Sequence, residues 1–198
     1  MFKPVAKALP FQVLVLEAWV IVRRIALAPA PTVRLFGLSM VEGGRTMQAE
    51  GYLAVTPGGA AAQLRAGAAA RVLASGGAPR ILAVDFDRKG GTALSGTGAP
   101  GTQVSVRVDG VEKGRTQADG HGRFALALDA PLAAGDRQLE LDDAGARAQA
   151  RIAVSPASAL SGGPFSAAVA PSGWRIDWMT PGGGVQTTLL IGPPQGAA

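Results

Sequence analysis

The sequence predicts an all-β protein built on an antiparallel β-sandwich, and three observations carry that expectation. Apolar residues alternate with polar ones at a two-residue spacing in several short runs, Val104/Val106/Val108 and Phe124/Leu126/Leu128 being the clearest. Turn-forming pairs recur between those runs at near-regular intervals, among them Asp109-Gly110, Asp119-Gly120 and Ala144-Gly145. The composition is rich in turn formers, with 28 glycines and 14 prolines in 198 residues, and poor in aromatics at 5%.

Residues 1–28 form an apolar N-terminal segment. Ala8 to Val22 is apolar but interrupted by Pro10, Gln12 and Glu17. A membrane helix wants about 20 apolar residues and accepts a central carboxylate poorly. Lys3 and Lys7 would suit the basic leader of an export signal, whereas Arg23 and Arg24 directly after the apolar run, and Pro29 after the small residues, do not suit its end. Three readings stay open: an export or anchor signal, through which the chain would meet a membrane; a β-rich segment packed in the fold; and an early start codon, with Met40 or Met47 as later ones.

Residues 29–79 read as a small β-rich region. Strand-like runs fall at Thr32 to Leu38 and Tyr52 to Thr56; the stretch Ala60 to Ala74 has the alanine that favours a helix, but Gly67 in its middle costs about 1 kcal/mol relative to alanine and counts against one. A domain boundary is expected near Pro79.

Residues 80–155 carry the sandwich. Ile81 to Asp87 alternates, with Leu82, Val84 and Phe86 expected on one face and Asp85 and Asp87 on the other. A short strand around Leu94 follows, then the two runs named first, expected to form an antiparallel pair. Gln138 to Leu141 and Arg147 to Val154 add two more, the last with Ala148, Ala150, Ile152 and Val154 inward. Asp109-Gly110 and Asp119-Gly120 are expected to supply the positive φ that tight turns need, and Pro100 pre-sets a turn.

In this stretch the pattern Gly96, Ala99-Pro100-Gly101, Val104-x-Val106, Asp109-Gly110, Gly114, Ala118-Asp119, Gly122-x-Phe124, Leu126 and Leu128 resembles the bacterial immunoglobulin-like modules of exported and cell-surface proteins. The likeness runs on through Pro131-Leu132 and Gly135 to Leu139. It implies an immunoglobulin-like sandwich, a location in the cell envelope or outside the cell, and a role as spacer or adhesive surface. It carries no catalytic residues to transfer.

Residues 156–164 read as a linker, 165–191 as a C-terminal β-hairpin or three-stranded meander, and 192–198 as a tail. Trp174, Ile176 and Trp178 alternate with Arg175 and Asp177, so the three apolar side chains are expected on one strand face. That face is either buried against the rest of the fold, the outcome favoured here, or is a partner or ligand surface.

Few residues invite chemistry. Without cysteine there is no disulfide, thiolate metal site or cysteine nucleophile. His121, the only histidine, lies between two glycines in an expected turn, and no serine sits in a nucleophile-elbow pattern. Asp85, Asp87, Asp109 and Asp119 could converge on Ca²⁺ at one end of the sandwich, but their spacing is not that of an EF-hand and Asp-Gly turns need no metal. The glycine runs lack the Lys-Ser/Thr of a phosphate loop. Residues 1–80 hold nine Lys/Arg against three Glu and residues 81–198 ten against eleven Asp/Glu, with the arginines, the pair Arg23-Arg24 apart, spread singly and not clustered with aromatics. That excludes a concentrated nucleic-acid surface.

The sequence therefore predicts a non-enzymatic envelope or cell-surface module, without metal or cofactor, that engages a protein partner in assembly or adhesion. A carbohydrate-binding accessory domain using the Trp174/Trp178 face is the alternative, and an enzyme of unrecognised type the third reading.

Overall fold

A computed structural model describes residues 10–16, 20–26, 30–73, 78–157 and 159–192, and every regular element among them is a β-strand. In chain order these are β1 (Pro10–Leu16), β2 (Val20–Ala26), β3 (Arg34–Glu42), β4 (Arg45–Val55), β5 (Ala61–Arg65), β6 (Arg71–Val72), β7 (Arg80–Asp87) and β8 (Thr92–Thr97). They continue with β9 (Gln103–Val108), β10 (Val111–Gln117), β11 (Arg123–Leu128), β12 (Gly135–Asp143), β13 (Ala146–Val154), β14 (Phe165–Ala170), β15 (Gly173–Met179) and β16 (Val185–Ile191). β1 and β2 pair with each other. No helix among the described residues is long and apolar enough to cross a membrane. Trp19, Gly76-Gly77 and the expected tail from 193 onward lie outside the described residues.

Three antiparallel sheets make up the rest. A four-stranded sheet in the order β10-β9-β12-β13 faces a six-stranded sheet in the order β11-β8-β7-β16-β15-β14. Between them lies the sandwich core, with Val104, Val106, Leu139, Leu141 and Ile152 from the first sheet and Val84, Leu94, Phe124 and Leu189 from the second. The four-stranded sheet β3-β4-β5-β6 covers the other face of the six-stranded sheet, around Ala54, Ala62, Leu64, Ala70, Ile176 and Trp178. The central sheet is thus covered on both faces over β7 and β16, whose interiors are buried at consecutive positions instead of alternate ones.

Several expectations are corrected by this arrangement. The runs Val104/Val106/Val108 and Phe124/Leu126/Leu128 are not a pair: β9 pairs with β10 and β12, while β11 pairs with β8 in the opposite sheet. The strand between them, β10, reads VEKGRTQ and carries no apolar alternation because it is an edge with neither face fully covered. Leu82 does not share the sandwich core with Val84 and Phe86. The β7–β8 ladder shifts register between Ile81 and Ala83, and Ile81 takes that place.

The stretch from Ala60 is not helical as far as Leu73, and Ala74 lies outside the described residues. Ala62 and Leu64 point into the second core while Gln63 and Arg65 are exposed, a two-residue period, and Gly67 turns the chain at φ 67° between β5 and β6. At 119–122 the positive φ falls on Gly122 (69°), not on Asp119 or Gly120; at 109–110 both residues adopt it, at 51° and 79°.

Phe124 stands opposite Gly96 in the β11–β8 ladder. A Cβ at Gly96 would lie 2.6 Å from the Phe124 ring and against the Arg80 carbonyl, so the ring occupies the space a side chain would need. Phe124→Ala is expected to destabilise by about 3 to 5 kcal/mol through the cavity it leaves. Gly96→Ala should cost about 1 to 3 kcal/mol by overpacking. Arg107→Ala, on the exposed face of β9, should change stability little. Urea melts of the three variants check all of this, and reversal of the Phe124 and Arg107 effects would mean that the side chains face the other way.

Candidate functional site

The alternation Trp174, Ile176, Trp178 does place the three side chains on one face of β15, and that face meets the β3–β6 sheet. Ile176 and Trp178 are fully buried there and Trp174 half-buried. Tyr52 from β4 meets Trp178 edge-on, with ring centroids 5.7 Å apart. The Trp174 Nε1 is buried without a hydrogen-bond partner. On the opposite face, Arg175 pairs with Asp177 at 3.0 Å and reaches Ser155 Oγ and the Pro156 carbonyl, holding the chain after β13 against the sheet.

Beside Trp178 lies a polar network of which the sequence marked only Asp85, and that as a candidate calcium ligand. Trp178 Nε1 donates to Thr188 Oγ1 at 3.1 Å, and Thr188 Oγ1 donates to Asp85 Oδ1 at 2.6 Å. Asp85 and Thr188 are direct cross-strand neighbours on β7 and β16. Gln186 Nε2 also donates to Asp85 Oδ1, at 3.2 Å, and Ala70 N–H donates to Oδ2 at 2.6 Å. Gln186 further clasps the β5–β6 turn, accepting from Gly67 N–H at 2.9 Å and donating to the Arg65 carbonyl at 3.1 Å. Ser95 Oγ donates to the Ala70 carbonyl from β8 at 2.5 Å. The one forewarning in the sequence is the interruption of an apolar run by Asp85, which alternation assigns to a solvent face. Burial under the third sheet overturns that assignment.

Burial pushes the Asp85 carboxyl up to about 6, against the lowering effect of its hydrogen bonds from Ala70, Thr188 and Gln186 and of the Arg65 charge. A cleft of about 150 Å³ opens next to it, lined by Gly67, Ala68, Phe86, Thr92 and Gln186 among others. That volume is below what a cofactor or drug-sized ligand occupies.

The other aspartates considered as ligands serve their own turns. Asp87 Oδ1 accepts from Lys89 and Gly91 N–H, and Asp119 Oδ1 from His121 and Arg123 N–H. Asp109 accepts from Gln138 N–H and from Arg137. Hydrogen bonding from these backbone groups holds Asp109 and Asp119 below the usual carboxylate range. The structure does not gather the four: among the described residues there is no cluster of three His, Cys, Asp or Glu side chains able to hold a metal. His121 is exposed in its turn.

Two facing antiparallel sheets closed around a common core, with β7 to β13 supplying all of one sheet and half of the other, define an immunoglobulin-like β-sandwich. Residues 77–156, about two fifths of the chain, match the model of the bacterial Ig domain family. That family is of a non-catalytic, structural kind. Its members are usual in exported and cell-surface proteins, where they typically mediate protein–protein contacts. None of the curated proteins and none of the solved structures compared with the chain matches it.

The Asp85 position makes the contact between the second and third layers sensitive to pH. Its folded-state pKa is raised above the value of about 3.8 it has when unfolded, so its contribution to stability is fully present below pH 3.8 and is lost as pH rises through about 6. The shift corresponds to about 3 kcal/mol. Urea melts of the wild type and Asp85→Asn across pH 3.5 to 7 should therefore diverge, the wild type losing about that much relative to the variant. Contributions of the exposed aspartates run the other way and cancel in the difference. Parallel curves would contradict the assignment.

Proposed function

We propose that this chain is a non-enzymatic structural and binding module of the bacterial envelope or cell surface that mediates protein–protein assembly. The observation that supports it most directly is where contact surface remains once the bacterial Ig match and its neighbours are assembled. The inner faces of the three larger sheets are taken up by the two cores, and among the described residues four of the exposed large apolar side chains, Leu38, Met40, Val41 and Met47, sit on one projecting hairpin. Such patches suit protein contacts better than small-molecule binding. Adhesion is the finer form of the same reading.

Carbohydrate binding on the Trp174/Ile176/Trp178 face would require the β3–β6 sheet to lift away, exposing Leu64 and Ala62 along with the rings. Membrane attachment through residues 1–28 would add to assembly at the envelope without altering it.

An antibody raised against the chain, applied to fractionated native cells, is expected to find it in the envelope or on the surface, where external protease reaches it. A wholly cytoplasmic signal would overturn the location. Calorimetric titration of the purified chain with cell-wall polysaccharide should show no heat of binding, and binding abolished by Trp174→Ala would favour the carbohydrate reading instead. In a Trp19→Phe background, tryptophan emission should be blue-shifted and resistant to iodide.

A further inference from the structure

β5 pairs with β4 only over Gly51 to Val55, so the far part of the β3–β4 hairpin extends past the sheet as a two-stranded arm. Its apolar side chains are far out of the core: Leu38 is 57% exposed, Met40 44%, Val41 72% and Met47 47%. β3 is also the outermost strand of its sheet, with one full row of backbone N–H and C=O groups facing no described strand. An edge of this kind is a template for another strand.

Three of the other edges are defended, whereas β14 is uncharged like β3 but shorter, at six residues against nine. β10 breaks its ladder between Glu112 and Gly114 and carries Lys113 and Arg115. β13 exposes Arg147 and Arg151, and β6 is two residues long. In β3, by contrast, nothing from Leu35 to Val41 is charged. The irregularity in its ladder with β4 falls on the partner side: Ala49 to Gly51 lie opposite the single residue Leu38, which leaves β3 itself regular.

The charges of β3 stand at its two ends and are opposite in sign, Arg34 at the start and Glu42 at the finish. We infer that β3 pairs antiparallel with β3 of a second copy of this chain about a two-fold axis through Leu38. Arg34 then faces Glu42 of the other copy, Leu35 faces Val41, Phe36 faces Met40, Gly37 faces Ser39, and Leu38 faces itself. The cross-strand pairs are apolar in the middle and oppositely charged at both ends, the combination that stabilises an antiparallel ladder. A parallel arrangement would put Arg34 against Arg34 and Glu42 against Glu42. Phe36, Leu38 and Met40 alternate onto one face, so the two copies bring six large side chains together beside the axis. The contact is isologous and closes as a dimer, joining two four-stranded sheets into one of eight.

This names a partner for the assembly reading above, yet it is tested separately, because oligomeric state is measured on the purified full chain and location on cells. Sedimentation velocity over a concentration series is expected to show a monomer–dimer equilibrium. Leu38→Lys, which sets two ammonium groups face to face on the axis, should leave a monomer whose circular dichroism and melting temperature match the wild type at dimer-free dilution. Arg34→Glu or Glu42→Arg alone should weaken the dimer about tenfold, because each reversal creates two like-charge pairs, and the double variant should return to within about twofold of wild type. Since the chain has no cysteine, Leu38→Cys should oxidise to a covalent dimer while Val169→Cys, on the uncharged edge strand β14, should not. A monomer at every concentration, a dimer indifferent to Leu38→Lys, a double variant no better than the singles, or cross-linking through position 169 would each overturn the proposal.

Discussion

β7 and β16 lie side by side in the middle layer of three, and most of the structure depends on what that position demands. A sheet strand with one wet face can put its polar side chains into water. Over these two strands that outlet is closed, because the sandwich core lies on one side and the β3–β6 sheet on the other. The polar residues they nevertheless carry, Asp85 on one and Gln186, Thr187 and Thr188 on the other, are all buried and must find partners inside the protein. They find them largely in one another, across the ladder that joins Asp85 to Thr188. A slip of one residue would turn Asp85 into the sandwich core in place of Val84 and leave its hydrogen-bond donors unsatisfied, so the network fixes register as well as contributing stability.

The same network explains how the third layer is attached. Several of the residues at its contact are small: Ala54, Ala62, Ala70 and Ala83 are all essentially without exposed surface. Small side chains give little area, and Trp178 with Tyr52 supplies the bulk they lack. Polar clamps then set the position. Asp85 takes the Ala70 N–H, Ser95 donates to the Ala70 carbonyl, and Gln186 bonds the turn at Gly67 from both ends of its amide. An alanine-rich segment thus becomes two short strands and a turn, because its tertiary partners outweigh the helical preference of alanine.

What the sequence made legible follows from how many faces each strand buries. Strands with one buried face announce themselves: Val104/Val106/Val108 in β9 and Ile152/Val154 in β13 point inward as their alternation requires. Strands with both faces buried do not alternate, which is why alternation sends Asp85 to solvent and why nothing in Gln186 or Thr188 hints at a join with β7. β10 is hidden for the opposite reason, having too little covered surface to leave a pattern. The partner strands of β9 and β11 are misread as a result, since omitting β10 makes two strands of different sheets look like neighbours. At the aromatic face of β15, the sequence could place Trp174, Ile176 and Trp178 together but could not name the sheet that meets them, because the covering residues are mostly alanines.

A consequence for function comes from the order of the layers. The segment matching the bacterial Ig domain ends before β14, yet its six-stranded sheet continues into β16, β15 and β14 from outside the match, and the β3–β6 sheet is fastened across that continuation. The projecting β3–β4 arm is therefore held to the sandwich through the Asp85 and Trp178 contacts and not through the turns of the sandwich itself. The polar clamps at this second core include a carboxyl whose pKa burial raises to about 6. Ionising Asp85 strengthens its hydrogen bonds but strips water from the charge, and the raised pKa means that the lost hydration outweighs the strengthened bonds. The fastening of the β3–β6 sheet to the sandwich thus runs through a side chain buried beneath that sheet, where Asp85 accepts from the Ala70 N–H.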